Sequence, residues 1–383
     1  MIIERSILYH IKEKLTKKPK IIVLYGPRQA GKTTLIKMLL NQYQKKYLYF
    51  NGDDLRVQSL WSKPDASLLK KQIGQAELIV IDEAQKIENI AQSLKLIFDT
   101  FSPFIVASGS ASFDLANKIN EPLTGRTETF ILYPFSVLEI PVNPPQVSFV
   151  ERLEEFLRFG LYPEVVLADE EKEKINYLNE LINTYLYKDI LSFEQIRKPK
   201  KVIHLLTFLA LQIGNEVSIL ELANNLSISK IIVEKYLDVL EKMFIIINLG
   251  GFSRNLRKEI VKTSKYYFVD LGLRNALIQN FNPLHLRDDV GRLFENFCFI
   301  ERLKIFANKK EKANFYFWRT YDQKEIDLIE EKQGKLFAFE FKWQEKDKKI
   351  PTSSKTFLKT YKNSQFSLIT PKNLEKFLKI YFI

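Results

Sequence analysis

The stretch Gly26-Pro27-Arg28-Gln29-Ala30-Gly31-Lys32-Thr33 constrains this chain more than any other part of it. It runs glycine, four residues, glycine, lysine and a hydroxyl residue, which is the spacing of a phosphate-cradling loop. Ile21-Ile22-Val23-Leu24-Tyr25 ahead of it reads as a buried strand, and Thr34 to Leu40 behind it has helical spacing. Glycines let the backbone turn tightly and aim N–H groups at phosphate oxygens, and the start of the following helix adds partial positive charge. Gly26 to Thr34 are therefore the expected nucleotide-binding residues. Lys32 would reach the β- and γ-phosphates, and the Thr33 hydroxyl would ligate Mg²⁺. A plain glycine turn would not require a strand before it and a helix after it.

Two acids fit the same chemistry. Glu77 to Glu83 reads as an apolar strand that ends in Asp82-Glu83. Beside a phosphate loop, Asp82 would hold Mg²⁺, a hard ion that prefers oxygen, and Glu83 would polarise the attacking water. Phe104 to Ser112 is a further apolar strand with a serine-rich end. There Ser108 or Ser110 would sense the γ-phosphate or simply form a turn. Arg126, next to Gly125, would stabilise γ-phosphate charge from its own subunit or a neighbour, or would form a structural salt bridge. A role on a neighbour's nucleotide implies a homo-oligomer, whereas a role in cis needs only a monomer. Strands alternating with helices to about residue 140 give an α/β core with a parallel, helix-covered sheet.

Charge is uneven along the 383 residues, which carry a net +12. Residues 1–150 carry 19 basic and 14 acidic side chains, residues 151–200 carry 8 and 11, residues 201–285 carry 10 and 7, and residues 286–383 carry 21 and 14. The most basic part is thus the last quarter, which suggests an anionic partner such as DNA near that end. Cys298 is the only cysteine, so no intrachain disulfide forms, as suits a reducing cytosol. There is no signal-peptide pattern, and no apolar run approaches the roughly 18 residues of a membrane span, so a cytoplasmic protein is expected.

The pattern divides the chain into 1–145, a phosphate-loop core; 146–200, a helical bundle; 201–285; and 286–383. In the third segment Ser218 caps a helix from Ile219 to Leu226, with Glu221 in the capping-box position. Ser227-Ile228-Ser229 turns the chain into a helix from Lys230 to Met243. Phe244 to Leu249 and Tyr266 to Val269 then read as a two-stranded wing, whose loop carries Arg254, Arg257, Lys258, Lys262 and Lys265. That order is a winged helix with a basic wing able to grip phosphate. Glu234, Asp238 and Glu241 on its third helix suit DNA poorly, and a protein-interaction module is the other reading.

The last segment holds a second candidate site. Gly291 to Asn296 opens a helix, Glu325 to Ile329 reads as a strand, and Lys335 to Trp343 as another. Alternation puts Glu340 and Lys342 on one face. Asp327, Glu340 and Glu295 would bind Mg²⁺ while Lys342 stabilises phosphate charge, as a phosphodiester nuclease requires. Two acids and a lysine on a solvated sheet face give the same pattern.

Taken together, Leu24 to Thr33, Ile81 to Gln85, Ser108-Gly109-Ser110, Gly125-Arg126 with Tyr133-Pro134-Phe135, Tyr267 to Arg274, Gly291 to Asn296 and Glu340-Phe341-Lys342 resemble prokaryotic AAA+ superfamily ATPases whose C-terminal half is a domain of unknown function. The resemblance spans nearly the whole chain. It implies an ATPase core that uses ATP and Mg²⁺, a winged helix, and a domain of restriction-endonuclease-like fold. The acid, acid-x-lysine pattern of that fold maps to Asp327, Glu340 and Lys342, with Glu295 on the preceding helix. The site is often eroded in related proteins. The sequence departs at Ala84, where the family usually has a larger apolar residue. The resemblance implies an ATP-dependent enzyme acting on DNA, or an ATP-gated signalling or scaffold protein whose nuclease fold is inactive and binds a protein partner.

Overall fold

The computed structural model describes residues 2–109, 123–141, 149–186, 196, 198–254, 264–344 and 351–379. Its chain clusters into two compact units. The first holds Met1–Phe135 with Lys242–Phe244 and Ala307–Lys310, and the second holds the remainder. Most of the last three segments read from the sequence falls in the second unit, which also takes residues 136–145 of the first segment.

The first unit is built on five parallel strands: β1 (Ile21–Tyr25), β2 (Tyr47–Asn51), β3 (Leu78–Asp82), β4 (Phe104–Ser108) and β5 (Thr127–Ile131). Their order is β2-β3-β4-β1-β5. Every residue of β1 and β3 is buried, as unbroken apolar runs require when helices cover both faces of a parallel sheet. β2, at one edge, alternates exposed and half-buried residues instead. Ile7, Leu8 and Ile11 of the Ile7–Lys14 helix and Leu35, Ile36, Leu39 and Leu40 of the Lys32–Asn41 helix pack on Ile22, Leu24, Val80 and Val106. The chain leaves β1 toward one edge of the sheet and leaves β4 for β5 on β1's other side. The strand order therefore reverses beside β1, where ligands bind past the carboxyl ends of parallel strands.

The second unit contains helices Phe149–Phe159, Pro163–Leu167, Glu171–Leu181, Pro199–Leu211, Ile219–Leu226, Leu271–Leu277 and Thr352–Thr360, and most of the Lys230–Lys242 and Val290–Lys309 helices. Ser218 caps the Ile219–Leu226 helix by accepting the Glu221 N–H at 3.3 Å. Three strands, β6 (Glu216–Val217), β7 (Ile246–Gly250) and β8 (Ser264–Phe268), pair antiparallel in the order β6-β8-β7. β6 is a strand that the sequence pattern does not announce, being two residues long. A four-stranded mixed sheet follows, made of β9 (Asn314–Arg319), β10 (Glu325–Lys332), β11 (Lys335–Phe341) and β12 (Ser364–Ile369) in the order β12-β11-β10-β9. Phe252, just past β7, joins the two sheets. Its N–H donates to the Phe317 carbonyl, and its ring packs against Trp318, Ile326 and Phe357.

The Tyr267–Arg274 stretch is structural. Asp270 caps the Leu271–Leu277 helix through the N–H groups of Gly272 and Leu273, and also accepts the Leu161 N–H at 2.7 Å. Arg274 is buried and donates to the Ala210 carbonyl and the Asp289 carboxylate.

Candidate functional site

The phosphate loop leaves β1 at Tyr25 and enters its helix at Lys32. Gly31 sits at φ 93°, a left-handed turn that a side chain would strain. Arg5 braces the loop from the N-terminal segment: it is buried, donates to the carbonyls of Ala30 (3.0 Å) and Tyr133 (2.6 Å), and stacks on Phe135. The sequence reading missed Arg5, because its partners lie 25 and 128 residues away.

Lys32 is buried, and its ammonium donates to the carbonyls of Gly26 (2.9 Å) and Pro27 (2.7 Å). Burial lowers its pKa to about 8, against the pull of Glu83 and Asp82. Arg28 and Gln29 are exposed at the loop tip, with Gln29 at φ 58°, while Pro27 and Ala30 are buried beneath it and Thr34 faces outward.

Asp82, at the end of β3, gathers three hydroxyls. Thr33 donates to its Oδ2 at 2.7 Å and Tyr49 to the same oxygen at 3.0 Å, while Ser108 donates to Oδ1. Asp82 and Ser108 are both buried. Thr33 and Asp82, each read from the sequence as a Mg²⁺ ligand, thus meet, and Ser108 contacts the acid. Ser110 lies outside the described residues. Tyr49 is an addition. The alternating Tyr47-Leu48-Tyr49-Phe50 strand pattern gave no hint which face would meet β3. Burial, and then Asp82, push the Tyr49 hydroxyl's pKa up, which keeps it a neutral donor.

Glu83 follows at φ 53°, a sparsely populated conformation for a side-chain-bearing residue and one that clusters at working sites. It turns the chain sharply out of β3. Gly52 makes room for this turn, because a Cβ there would stand 2.3 Å from the Glu83 carbonyl oxygen. Gln85 donates to Glu83 Oε2 at 2.6 Å and fixes the carboxylate's direction. A hydroxyl–carboxylate pair beside a lysine and a second acid suits Mg²⁺, which prefers hard oxygen ligands.

Arg126 stands elsewhere. The Ile21 N–H donates to its carbonyl, and Thr127 pairs with Ile21, the first residue of β1. The loop follows Tyr25, the last residue of β1, so about 13 Å of strand separates the two ends. Arg126 instead makes a two-pronged pair with Asp99, at 2.6 and 3.0 Å. The expectation that it reaches the γ-phosphate of its own subunit is thus corrected: parallel register puts it at the opposite end of the sheet.

Residues 18–141 match the AAA domain family. Together with the loop and the parallel sheet, this makes the first unit a P-loop ATPase core. Residues 150–284 and 290–379 match two separate domains of unknown function. An uncharacterised protein of Methanocaldococcus jannaschii is 26% identical over 94% of this chain and 86% of its own length. An uncharacterised protein of Mycobacterium tuberculosis is 28% identical over 89% of this chain and 74% of its own length. The Walker-type ATPase of Pyrococcus abyssi, a solved structure, is 18% identical, covering 72% of this chain and 96% of that one, with a TM-score of 0.48.

The C-terminal residues do come into each other's electrostatic reach. Asp327 Oδ2 accepts the Phe341 N–H at 2.8 Å, and the β10 pairing shifts register around it, as bulges that re-aim a side chain do. Burial, and then Glu295, with Glu340 behind them, push the Asp327 carboxyl well above the usual range. Lys342 Nζ stands 2.9 Å from Glu340 Oε1, on the same side of the strand. Among the described residues, no group of three or more His, Cys, Asp or Glu side chains is arranged to hold a metal ion. A cation is already there, however. Lys265 is buried, with its ammonium 3.0 Å from Glu295 Oε1 and 2.5 Å from Glu325 Oε1. Its expected place in a phosphate-gripping wing is therefore corrected. Of the other wing cations, Arg254 stands 3.8 Å from Glu331, and Arg257, Lys258 and Lys262 lie outside the described residues. No helix among the described residues is long and apolar enough to cross a membrane.

Proposed function

We propose that the first unit binds and hydrolyses ATP with Mg²⁺, using Lys32, Thr33, Asp82 and Glu83. The observation that carries this reading is the Thr33–Asp82 contact at 2.7 Å next to a buried Lys32. Mg²⁺ held by these two oxygens would screen phosphate charge. Lys32 leaves the loop carbonyls of Gly26 and Pro27 and moves onto the β- and γ-phosphates. The loop and the helix start take up the phosphate oxygens. Glu83 orients and polarises the attacking water, and Ser108 and Tyr49 hold Asp82 in place. Nucleotide contact is assigned to Gly26 to Thr34, with any action of Arg126 directed at a neighbouring subunit's nucleotide. The Asp82→Asn variant tests the metal role: hydrolysis at saturating ATP is expected to fall and to need far more Mg²⁺, and an unchanged Mg²⁺ requirement contradicts it.

We further infer that the second unit is the working end. The order of its Pro199–Leu211, Ile219–Leu226 and Lys230–Lys242 helices with β6, β7 and β8 supports the winged-helix reading, and β9 to β12 with the Val290–Lys309 helix are the elements that the restriction-endonuclease-like reading would use. The charge surplus of residues 286–383 supports DNA as the partner. Duplex DNA affinity with a steep salt slope is the expected result, and salt-insensitive or absent binding contradicts it. One observation favours a second reading, an ATP-gated scaffold whose nuclease fold is inactive and binds protein: the acids of that fold already hold Lys265.

A further inference from the structure

The residues that a metal-dependent nuclease would use do not fit a metal as they stand, and the misfit has a specific cause. Glu295 comes from the Val290–Lys309 helix, Glu325 and Asp327 from β10, and Glu340 from β11. Into this cluster β8 sends Lys265, whose side chain is 2% exposed. Its ammonium contacts Glu295 and Glu325, and its charge also acts on Asp327. β8 is the central strand of its sheet, paired at Lys265 with both Leu249 and Glu216. The lysine is therefore delivered by fixed backbone rather than by a loose side chain on the surface. Tyr267, two residues on and on the same face of β8, donates to Glu295 at 2.5 Å and secures the carboxylate that meets the lysine.

A second observation shows that the cluster is not satisfied by this lysine. Glu340 is 8% exposed, and its Oε2 is buried with no hydrogen-bond donor among the described residues. Its other oxygen meets Lys342. A buried carboxylate oxygen without a partner is costly. A divalent ion, which takes several oxygen ligands at once, would use it, whereas one ammonium with three donors does not serve all four carboxylates.

We propose that Lys265 is an internal counter-ion standing in the cation position of the Glu295, Glu325, Asp327 and Glu340 cluster, and that divalent metal enters only when this lysine is withdrawn. The proposal rests on the reading of Glu295, Asp327 and Glu340 as nuclease-type ligands. It adds Glu325 to them and assigns β8 as the element that closes the site. Lys265 has two partners of its own in Glu295 and Glu325, so the closed state is the resting state.

The test uses the full-length, nucleotide-free chain and manganese ion, titrated calorimetrically, with wild type, Lys265→Met and Lys265→Met/Asp327→Asn compared. The single variant is expected to bind one more Mn²⁺ per chain than wild type, at least tenfold tighter than any wild-type binding, and the double variant to lose it. Equal stoichiometry and affinity in wild type and Lys265→Met overturn the proposal. Four carboxylates without their lysine repel, so the variant is also refolded in Mn²⁺ and in EDTA. Recovery only with Mn²⁺ supports the proposal, and failure in both overturns it. DNA cleavage separates this inference from the nuclease reading. Metal binding by Lys265→Met without cleavage rejects the nuclease and leaves the counter-ion standing. Cleavage by wild type as fast as by Lys265→Met does the reverse.

Discussion

Asp82 and Asp327 both sit on strands of a sheet, each with a lysine and a glutamate nearby, and their surroundings differ in one respect. Asp82 receives hydrogen bonds from three neutral hydroxyls, those of Thr33, Tyr49 and Ser108. Asp327 receives a backbone N–H and shares its cluster with the buried ammonium of Lys265. Hydroxyls satisfy a carboxylate's lone pairs without cancelling its charge, so a metal ion is still attracted. An ammonium cancels the charge, and its own desolvation is repaid only while the acids stay ionised around it. On the proposed readings, what would separate an open cation site from a closed one is the charge of the donors, not the presence of acids.

The largest expected effect sharpens the Asp82 side. Lys32→Ala removes the cation that meets the developing phosphate charge, and turnover should fall by about 10²–10³-fold or more, measured as phosphate release at saturating ATP. On the other side, Lys265→Met leaves the half-buried Glu295 and Glu325 without their cation. Because both acids keep some solvent, a loss of about 1–3 kcal/mol in metal-free unfolding free energy is expected, read by denaturant titration in EDTA; a change near zero would break the comparison. A smaller effect follows from pH. Burial holds Lys32 at about 8 instead of 10.5, so between those values the folded chain has released a proton that the unfolded chain keeps. Nucleotide-free stability should therefore rise through that window. ATP binding, which needs the charged ammonium, should weaken about tenfold per pH unit above 8, and Lys32→Met should flatten that dependence. The smallest effect is Tyr49→Phe. Removing one hydroxyl from Asp82 should cost about 1 kcal/mol of Mg²⁺·ATP affinity, roughly fivefold, with Ser108 and Thr33 still in place.

The ATPase core was legible because its signals are contiguous. The loop from Gly26 to Thr33 needs neighbours only a few residues away, and the β1 and β3 strands are unbroken apolar runs that suit only a covered parallel sheet. Asp82 and Glu83 were legible as the two acids that end a strand, and β3 does end at Asp82 with Glu83 next. For Arg126 only the structural salt bridge among its readings is met, with Asp99, because place depends on register: pairing Thr127 with Ile21 sends it to the far end of the sheet from its own chain's phosphate loop. Lys265 was misjudged because its partners, Glu295 and Glu325, lie 30 and 60 residues away and on other elements. A basic residue beside a wing looks solvated until the elements packed behind it are known. Tyr49 and Arg5 were missed for the same reason, since each acts on a residue brought near by topology.

The most direct test of the central claim is hydrolysis by Glu83→Gln, measured together with its ATP affinity in Mg²⁺. Glutamine keeps the size of the side chain but cannot polarise water as a carboxylate does. The expected result is a fall in turnover of about 10²–10⁴-fold with ATP affinity unchanged within a few-fold. Turnover equal to wild type would contradict the assignment of Glu83, and with it the reading of Asp82-Glu83 as the catalytic pair of this loop.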